Sequence, residues 1–382
     1  MSTTKKLIAI HFFTLLTFIC NAQNGVTIYD SILSGGLQRK YRLYVPNSYN
    51  ASNPAPLVFN LHGYNSNSSQ QLGYTNFLPI ADTAKFLVVH PDGTFSNGSQ
   101  YWNAGFGGTV NDVQFISNLL DSIKATYNID LNSVYSCGMS NGGIMSYYLA
   151  CNLSNRIAAI ASVTGDMLNS WYASVPNPPR PFPVMEIHGT ADGTVPYLGN
   201  ANFAHIDSVV KKWRKYNNCT PTAIITNVPD INTSDGCTAV NYRYANGTNG
   251  AEVELYKING GSHSWPGAFP FIANTNEDFK ASVEIWRFFR KYKLNQFIAN
   301  VGVKKESADQ KITVYPNPAS SVLNFGFDTN SGLTLHITDI TGKIIIQQEL
   351  GNTLDVSSLK TGVYFISIVG NDHVHHSKFI KL

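Results

Sequence analysis

Short apolar runs alternate with longer amphipathic stretches across most of the first 290 residues, and that alternation leaves few folds open. Residues 57–61 (LVFNL) and 86–89 (FLVV) read as buried strands ending in polar turns at His62-Gly63 and Pro91-Asp92-Gly93. Phe115, Ile116, Leu119, Leu120 and Ile123 recur at helical spacing between Asp112 and Tyr127. Residues 134–137 then read as a strand, 141–151 as a helix, and 157–163, 184–187 and 253–255 as further strands, before a last helix over 277–292. Strand and helix in strict succession predict a mostly parallel sheet flanked by helices, the α/β-hydrolase class. After Leu294 the pattern changes: a linker over 297–310 poor in large apolar groups precedes short alternating segments at 311–315, 322–327, 333–339, 343–348 and 363–369. These predict a small C-terminal β-sandwich over 311–382, behind a larger α/β domain over 23–296.

The strongest chemical signal lies where strand 134–137 meets helix 141–151. Gly138-Met139-Ser140-Asn141-Gly142 is a G-x-S-x-G pattern whose flanking glycines allow a sharp turn with the serine exposed. A serine hydroxyl becomes a nucleophile when an imidazole takes its proton and an acid orients the imidazole. Asp192 in HGTADGTVP follows the strand 184–187, and His263 in GGSHSWPG follows the strand 253–255. Both fall on loops at carboxyl ends of strands, where open α/β sheets bind ligands, in the chain order serine, acid, histidine. Taken singly, an Asp before Gly more often caps a turn, and a His in a Gly/Ser loop more often faces solvent. It is the joint order and topology that select Ser140, Asp192 and His263 as the catalytic set.

Asp112 and Glu186 are the rival acids. Asp112 opens a helix, where capping is the simpler role, and Glu186 sits inside a strand, where a buried carboxylate needs a partner. His188 is expected to hydrogen-bond the same loop as Asp192. The backbone N–H groups of Asn141 and Tyr64 are the expected oxyanion donors, with His62 a structural hydrogen-bonder beneath them. Tyr64, Trp102, Tyr197 and Trp265, joined by Tyr101 and Phe269, are the expected lining of an aromatic cleft. No HExxH, paired-cysteine spacing or glycine-rich nucleotide loop occurs in the sequence, so neither a metal nor a cofactor is expected.

The N-terminus, MSTTKKLIAIHFFTLLTFICNAQ, has two lysines, an apolar run and a small Ala22, the layout of a signal peptide over 1–22. Cys20 leaves a lipoprotein reading open, although Thr17 and Ile19 suit a lipid-attachment box poorly. Export permits disulfides. Cys219 and Cys237, in a polar stretch with few apolar anchors, are the expected pair, whereas Cys137 ends a strand and Cys151 lies near the far end of the helix that follows, too far apart for a disulfide, and both are expected as buried thiols. A net charge of +3 over 382 residues forms no basic stripe, which argues against nucleic-acid binding. The expected state is a monomer.

On the stretches HPDG (90–93), YWNAG (101–105), DVQFI (112–116), VYSCGMSNGGIMSYYLAC (134–151), IHGTADGTVPY (187–197) and GGSHSWPG (260–267), the region 26–292 resembles the polyhydroxybutyrate depolymerase-like esterases. These overlap the feruloyl and acetylxylan esterases of carbohydrate esterase family 1. The resemblance implies the same three roles for Ser140, Asp192 and His263. It also implies hydrolysis of a carboxylic ester: a hydroxycinnamate such as ferulate on plant cell-wall polysaccharide, or alternatively a polyhydroxyalkanoate or an acetyl group on xylan. A non-enzymatic alternative is an inactive secreted glycan-binding protein. The tail, with VYPNPASSVLNF (314–325), ITDITGKII (337–345), LDVSSLKTGVYFISI (354–368) and KFIKL (378–382), resembles the type A sorting domain of the type IX secretion system. That implies a partnership with the secretion machinery and a final location outside the cell or on its surface.

Overall fold

The computed structural model describes residues 25–96, 98–173, 178–272, 274–297, 313–326, 333–340, 342–369 and 374–382. The signal segment 1–22 and all but Phe297 of the linker 297–310 lie outside these. The chain divides into two compact units, 1–300 and 301–382.

In the first unit the strands are β1 (Val26–Ser34), β2 (Leu37–Val45), β3 (Ala55–Leu61), β4 (Leu87–Pro91), the hairpin β5 (Thr94–Ser96) and β6 (Ser99–Tyr101), β7 (Ile129–Met139), β8 (Ala159–Val163), β9 (Val184–Gly189), β10 (Ile224–Asn227), β11 (Thr238–Tyr244) and β12 (Val253–Asn259). All but the hairpin join one ten-stranded sheet in the order β1-β2-β4-β3-β7-β8-β9-β12-β11-β10. From β4 to β12 neighbours run parallel, while β1, β2, β11 and β10 pair antiparallel at the edges. This is the α/β-hydrolase order with two extra strands on one edge. The β1–β2 pair and the β10–β11 extension have exposed or half-exposed, mixed sequences that carry no clean apolar run, which is why the sequence pattern registers neither.

Helices α1 (Ser68–Thr75), α2 (Leu78–Ala84), α3 (Asp112–Thr126), α4 (Asn141–Asn152), α5 (Asn169–Tyr172), α6 (Ile206–Tyr216) and α7 (Ala281–Phe289) accompany the sheet. The period-two geometry of strands sorts side chains to its two sides. Leu57, Phe59 and Leu61 join a core with Phe115 and Leu119 of α3, Met145 and Leu149 of α4 and Trp213 of α6. Val58 and Val88 face the opposite core with Ala81 of α2 and Ile285, Phe288 and Phe289 of α7.

The cysteine pair expected from the sequence does not form. All four described cysteines are free and buried. Cys219 rests on the Ala251 carbonyl, 3.4 Å away, just before Val253 begins β12. Cys237 stands just before β11, whose Thr238 pairs with Asn259 at the other end of β12. Six residues of strand, roughly 20 Å at about 3.3 Å each, separate the two places, far beyond the roughly 7 Å Cα separation that a disulfide spans. Apolar packing, not a covalent staple, anchors both loops. Cys137 and Cys151 are buried thiols, as expected.

In the second unit, strands Thr313–Tyr315, Val322–Gly326 and Thr353–Asp355 form one antiparallel sheet. Strands Ile344–Glu349, Thr334–Thr338, Gly362–Val369 and Val374–Lys381 form another, in that order. Leu323, Phe325, Leu335, Ile337, Leu354, Ile366 and Phe379 fill the core of this sandwich.

Candidate active site

Ser140 sits at the β7–α4 junction with φ 53° and ψ −118°, a conformation that side chains other than glycine rarely adopt and that costs on the order of 1–3 kcal/mol. What enforces it is close approach on both flanks. A Cβ on Gly142 would lie 2.2 Å from the Leu61 carbonyl oxygen, and one on Gly138 would lie 2.5 Å from the Gly142 carbonyl carbon. The two glycines thus let β7, α4 and the end of β3 meet backbone to backbone. The Ser140 N–H is spent on the Val163 carbonyl at 2.8 Å.

Asp192 and His263 arrive from the loops after β9 and β12. His263 Nδ1 lies 2.7 Å from Asp192 Oδ2, and the N–H groups of Thr194 and Val195 donate to Asp192 Oδ1 at 2.8 and 2.9 Å. Burial raises the Asp192 carboxyl, but the hydrogen bonds and charges of His188 and His263 outweigh it and hold the group below the usual carboxylate range. It is therefore an anion at any pH where an imidazole can act as base. Ser140 and His263 line one cavity of about 610 Å³, together with Gly63, Tyr64, Ser66, Ser69, Gln70, Gln71, Gly73, Tyr74, Met139, Phe269 and Pro270.

A second cavity, of about 350 Å³, also reaches Ser140 and is almost wholly apolar. Tyr64, Tyr101, Phe106, Ser140, Asn141, Ile144, Thr194, Val195 and Phe203 line it, and it does not include His263. Phe106, Val195 and Phe203 come from loops whose sequences carry no periodic signal. Ile144 also went unread, although its place in the first turn of the helix that follows Ser140 was a usable signal.

The loop after β3 approaches Ser140 closely: a Cβ on Gly63 would lie 3.5 Å from the Ser140 Cβ. His62 beneath it is fully buried. Its Nε2 accepts the Gly93 N–H at 2.8 Å, so the ring proton is on Nδ1, which donates to the Gly63 carbonyl at 2.7 Å. Burial lowers the His62 pKa, in keeping with a neutral ring and the structural role expected for it. The Asn141 N–H opens α4, where backbone donors lack intrahelical acceptors.

Three of the four expected cleft aromatics are not in the cleft. Trp102 is fully buried, with Nε1 donating to the His62 carbonyl at 3.0 Å and its backbone gripped by the Asn141 amide at 2.6 and 3.1 Å. It bolts the β3 loop to the start of α4 from below. Trp265 is also buried, its Nε1 on Ser282 Oγ at 3.1 Å, and it anchors the His263 loop against α7. Tyr197 is buried with its hydroxyl 2.5 Å from Asp207 Oδ1. In each case an indole N–H or phenol hydroxyl found a hydrogen-bond acceptor within the fold, and the ring went inside with it. Only Tyr64, 60% exposed and packed on Tyr101, lies at the mouth of both cavities.

The rival acids have other partners. Asp112 pairs with Arg39 at 2.6 Å in a buried ion pair and accepts the Asn103 N–H at 2.7 Å, while Asn111 is the residue that caps α3. Glu186 bonds His188 and Tyr147.

Residues 39–176 match the family model described as Esterase PHB depolymerase, and residues 313–382 match the one described as Secretion system C-terminal sorting domain. Among curated proteins, a bifunctional acetylxylan esterase/xylanase of Neocallimastix patriciarum is 31% identical over 239 residues, 62% of this chain and 33% of that protein. Feruloyl esterase B of Piromyces equi is 31% identical over 238 residues, 59% of this chain and 42% of that protein. Feruloyl esterase D of Neurospora crassa is 27% identical over 282 residues, 71% of this chain and 87% of that protein. The chain thus spans less than half the length of the first two relatives and most of the third.

Proposed function

We propose that this chain, an esterase domain of the PHB depolymerase type joined to a secretion-system sorting domain, is an exported serine esterase that releases hydroxycinnamates from polysaccharide. Ser140 Oγ would attack the ester carbonyl as His263 Nε2 takes its proton. Asp192, bonded to Nδ1, fixes the tautomer and supports the imidazolium that forms. The N–H groups of Tyr64 and Asn141 would receive the oxyanion. The same Nε2 proton then goes to the departing alkoxide, leaving an acyl-enzyme on Ser140, and a water activated by His263 returns the free acid.

The division of the cleft at Ser140 is the observation that carries the substrate reading. The leaving alcohol has to sit where His263 can protonate it, which is the larger cavity that His263 lines, edged by Ser66, Ser69, Gln70 and Gln71. The acyl group then points into the apolar cavity between Tyr64, Tyr101, Phe106 and Ile144, on the Asn141 side. A polar alcohol site and an aromatic acyl site suit a phenylpropenoyl sugar ester, and the acyl cavity is far larger than an acetyl group needs. The relatives named as feruloyl esterases support the same reading. A polyester is the second reading, favoured by Phe269 and Phe271, exposed and packed edge to face beside the larger cavity.

The test is turnover of methyl ferulate, a polyhydroxybutyrate suspension and acetylated xylan by the purified protein, with Ser140→Ala as blank. Ferulate release absent from the blank is the expected result. Polymer clearing or acetate release without ferulate release would move the substrate assignment and leave the nucleophile in place. The tail and the N-terminal lysine-plus-apolar segment support export by the type IX route with removal of residues 1–22, which mass spectrometry of the secreted protein reads directly.

A further inference from the structure

We infer that His188 is a positioning residue for the catalytic acid, held as an imidazolium between Glu186 and Asp192 on the side of Asp192 away from His263. This rests on the roles proposed above for Asp192 and His263.

Hydrogen-bonding arithmetic carries the inference. His188 Nδ1 lies 2.9 Å from Glu186 Oε1, and its Nε2 lies 2.8 Å from the Val195 carbonyl and 3.4 Å from Asp192 Oδ2. Every partner is an acceptor, whereas a neutral imidazole has one donor to give and only its cation has two. Tyr147 donates to the other Glu186 oxygen at 2.9 Å, and although burial raises the Glu186 carboxyl, the hydrogen bonds and charge of His188 and the Tyr147 hydroxyl act against it, so the proton between Oε1 and Nδ1 is assigned to the ring. Glu186, His188 and Asp192 have fully buried side chains, so water cannot stand in for any of these bonds. Burial opposes the ring's charge, but the hydrogen bonds and charges of Asp192 and Glu186 prevail and push His188 up to about 10.

The local sequence explains the placement. Glu186 and His188 are alternate residues of β9 and share one face of the strand, and the loop that follows returns Val195 and Asp192 to the same ring. The other titratable groups around it are Tyr147 from α4, the buried Asp166 after β8, Tyr197 with its ring edge-on at 5.9 Å, and Lys257 from β12, whose ammonium lies over the Tyr197 ring. Beyond Asp192 stands His263. Asp192 Oδ2 therefore serves two imidazoles, one permanently charged and one that cycles. The fixed cation tempers the negative potential that Asp192 exerts on His263.

Two measurements on the full chain test this. In Glu186→Gln the amide replaces the carboxylate isosterically, the ring drops to one proton, and every bond keeps a donor and an acceptor. The acidic limb of the kcat/KM profile, read with 4-nitrophenyl acetate, should move up by about half to one pH unit with plateau kcat changed less than roughly threefold. A role as a mere strut would change stability and leave the limb where it was, so an unmoved limb in a folded variant overturns the inference. Independently of any ester activity, 15N NMR of the imidazoles should show both His188 nitrogens protonated from pH 6 to 9. A neutral His188 tautomer at pH 7 overturns it even if the protein proves to have no esterase activity.

Discussion

Asp192 presents its Oδ2 to His263 Nδ1 at 2.7 Å while its Oδ1 is pinned by the N–H groups of Thr194 and Val195. Both oxygens are thereby committed, and the imidazole has one orientation and one tautomer available. Replacing Asp192 by Asn keeps the size but offers an amide where His263 needs an acceptor, favouring the wrong tautomer. The expected loss is about 10³- to 10⁴-fold in kcat on any ester the enzyme accepts, with the far-ultraviolet circular dichroism unchanged. A loss under tenfold would remove Asp192 from its role.

Gly142 is a packing residue as much as a motif residue. The Cβ of Gly142→Ala would meet the Leu61 carbonyl oxygen at 2.2 Å, a backbone contact that no side-chain rotation can relieve. Overpacking at this junction should cost about 2–4 kcal/mol, read as a lower urea midpoint, and should displace Ser140 enough to lower activity in the protein that still folds.

Ile144 tests which cavity holds the acyl group. It lines only the apolar one, so Ile144→Phe should cut kcat/KM for methyl ferulate at least tenfold while changing that for methyl acetate by less than about threefold. Equal losses on both esters would mean that the acyl chain lies elsewhere.

His90 gives the fold an acid sensitivity unconnected with catalysis. It is fully buried on β4 with neither ring nitrogen hydrogen-bonded, and burial, aided by the nearby Arg42 charge, lowers its pKa to about 3. Between about pH 6.5 and pH 3 the unfolded chain binds a proton that the folded one refuses, so stability falls as pH falls through that window. At pH 4 the contribution reaches about 3 kcal/mol. Urea midpoints measured from pH 7 to pH 4 should drop, and the drop should shrink in His90→Leu. An identical slope in both proteins would refute the assignment.

The parts of this molecule legible in its sequence are those in which one residue type answers one geometric demand. The strands that build the middle of the sheet are apolar on both faces and announce themselves; Ser140 is bracketed by glycines because backbone passes within 3 Å of both positions. The edge strands Val26–Ser34 and Ile224–Asn227 have no such signature, because solvent on one or both faces relaxes the demand. The aromatic residues misled for a different reason. Trp102 and Trp265 sit beside the site in sequence and in space, yet burial of the indole N–H on a carbonyl or hydroxyl decides the side they face, and that acceptor comes from a distant segment. Cys219 and Cys237 misled in the same way, since they sit beside opposite ends of the β11–β12 ladder, which residue spacing does not reveal.

The most direct test of a nucleophile at Ser140 is covalent capture. The purified protein is treated with a fluorophosphonate probe at pH 7.5, digested and mapped by mass spectrometry, beside Ser140→Ala carried through the same steps. A single adduct on the peptide containing Ser140, absent from the variant, is the expected result. An unlabelled wild-type protein, or equal labelling of the variant at another serine, would contradict the assignment of the active site.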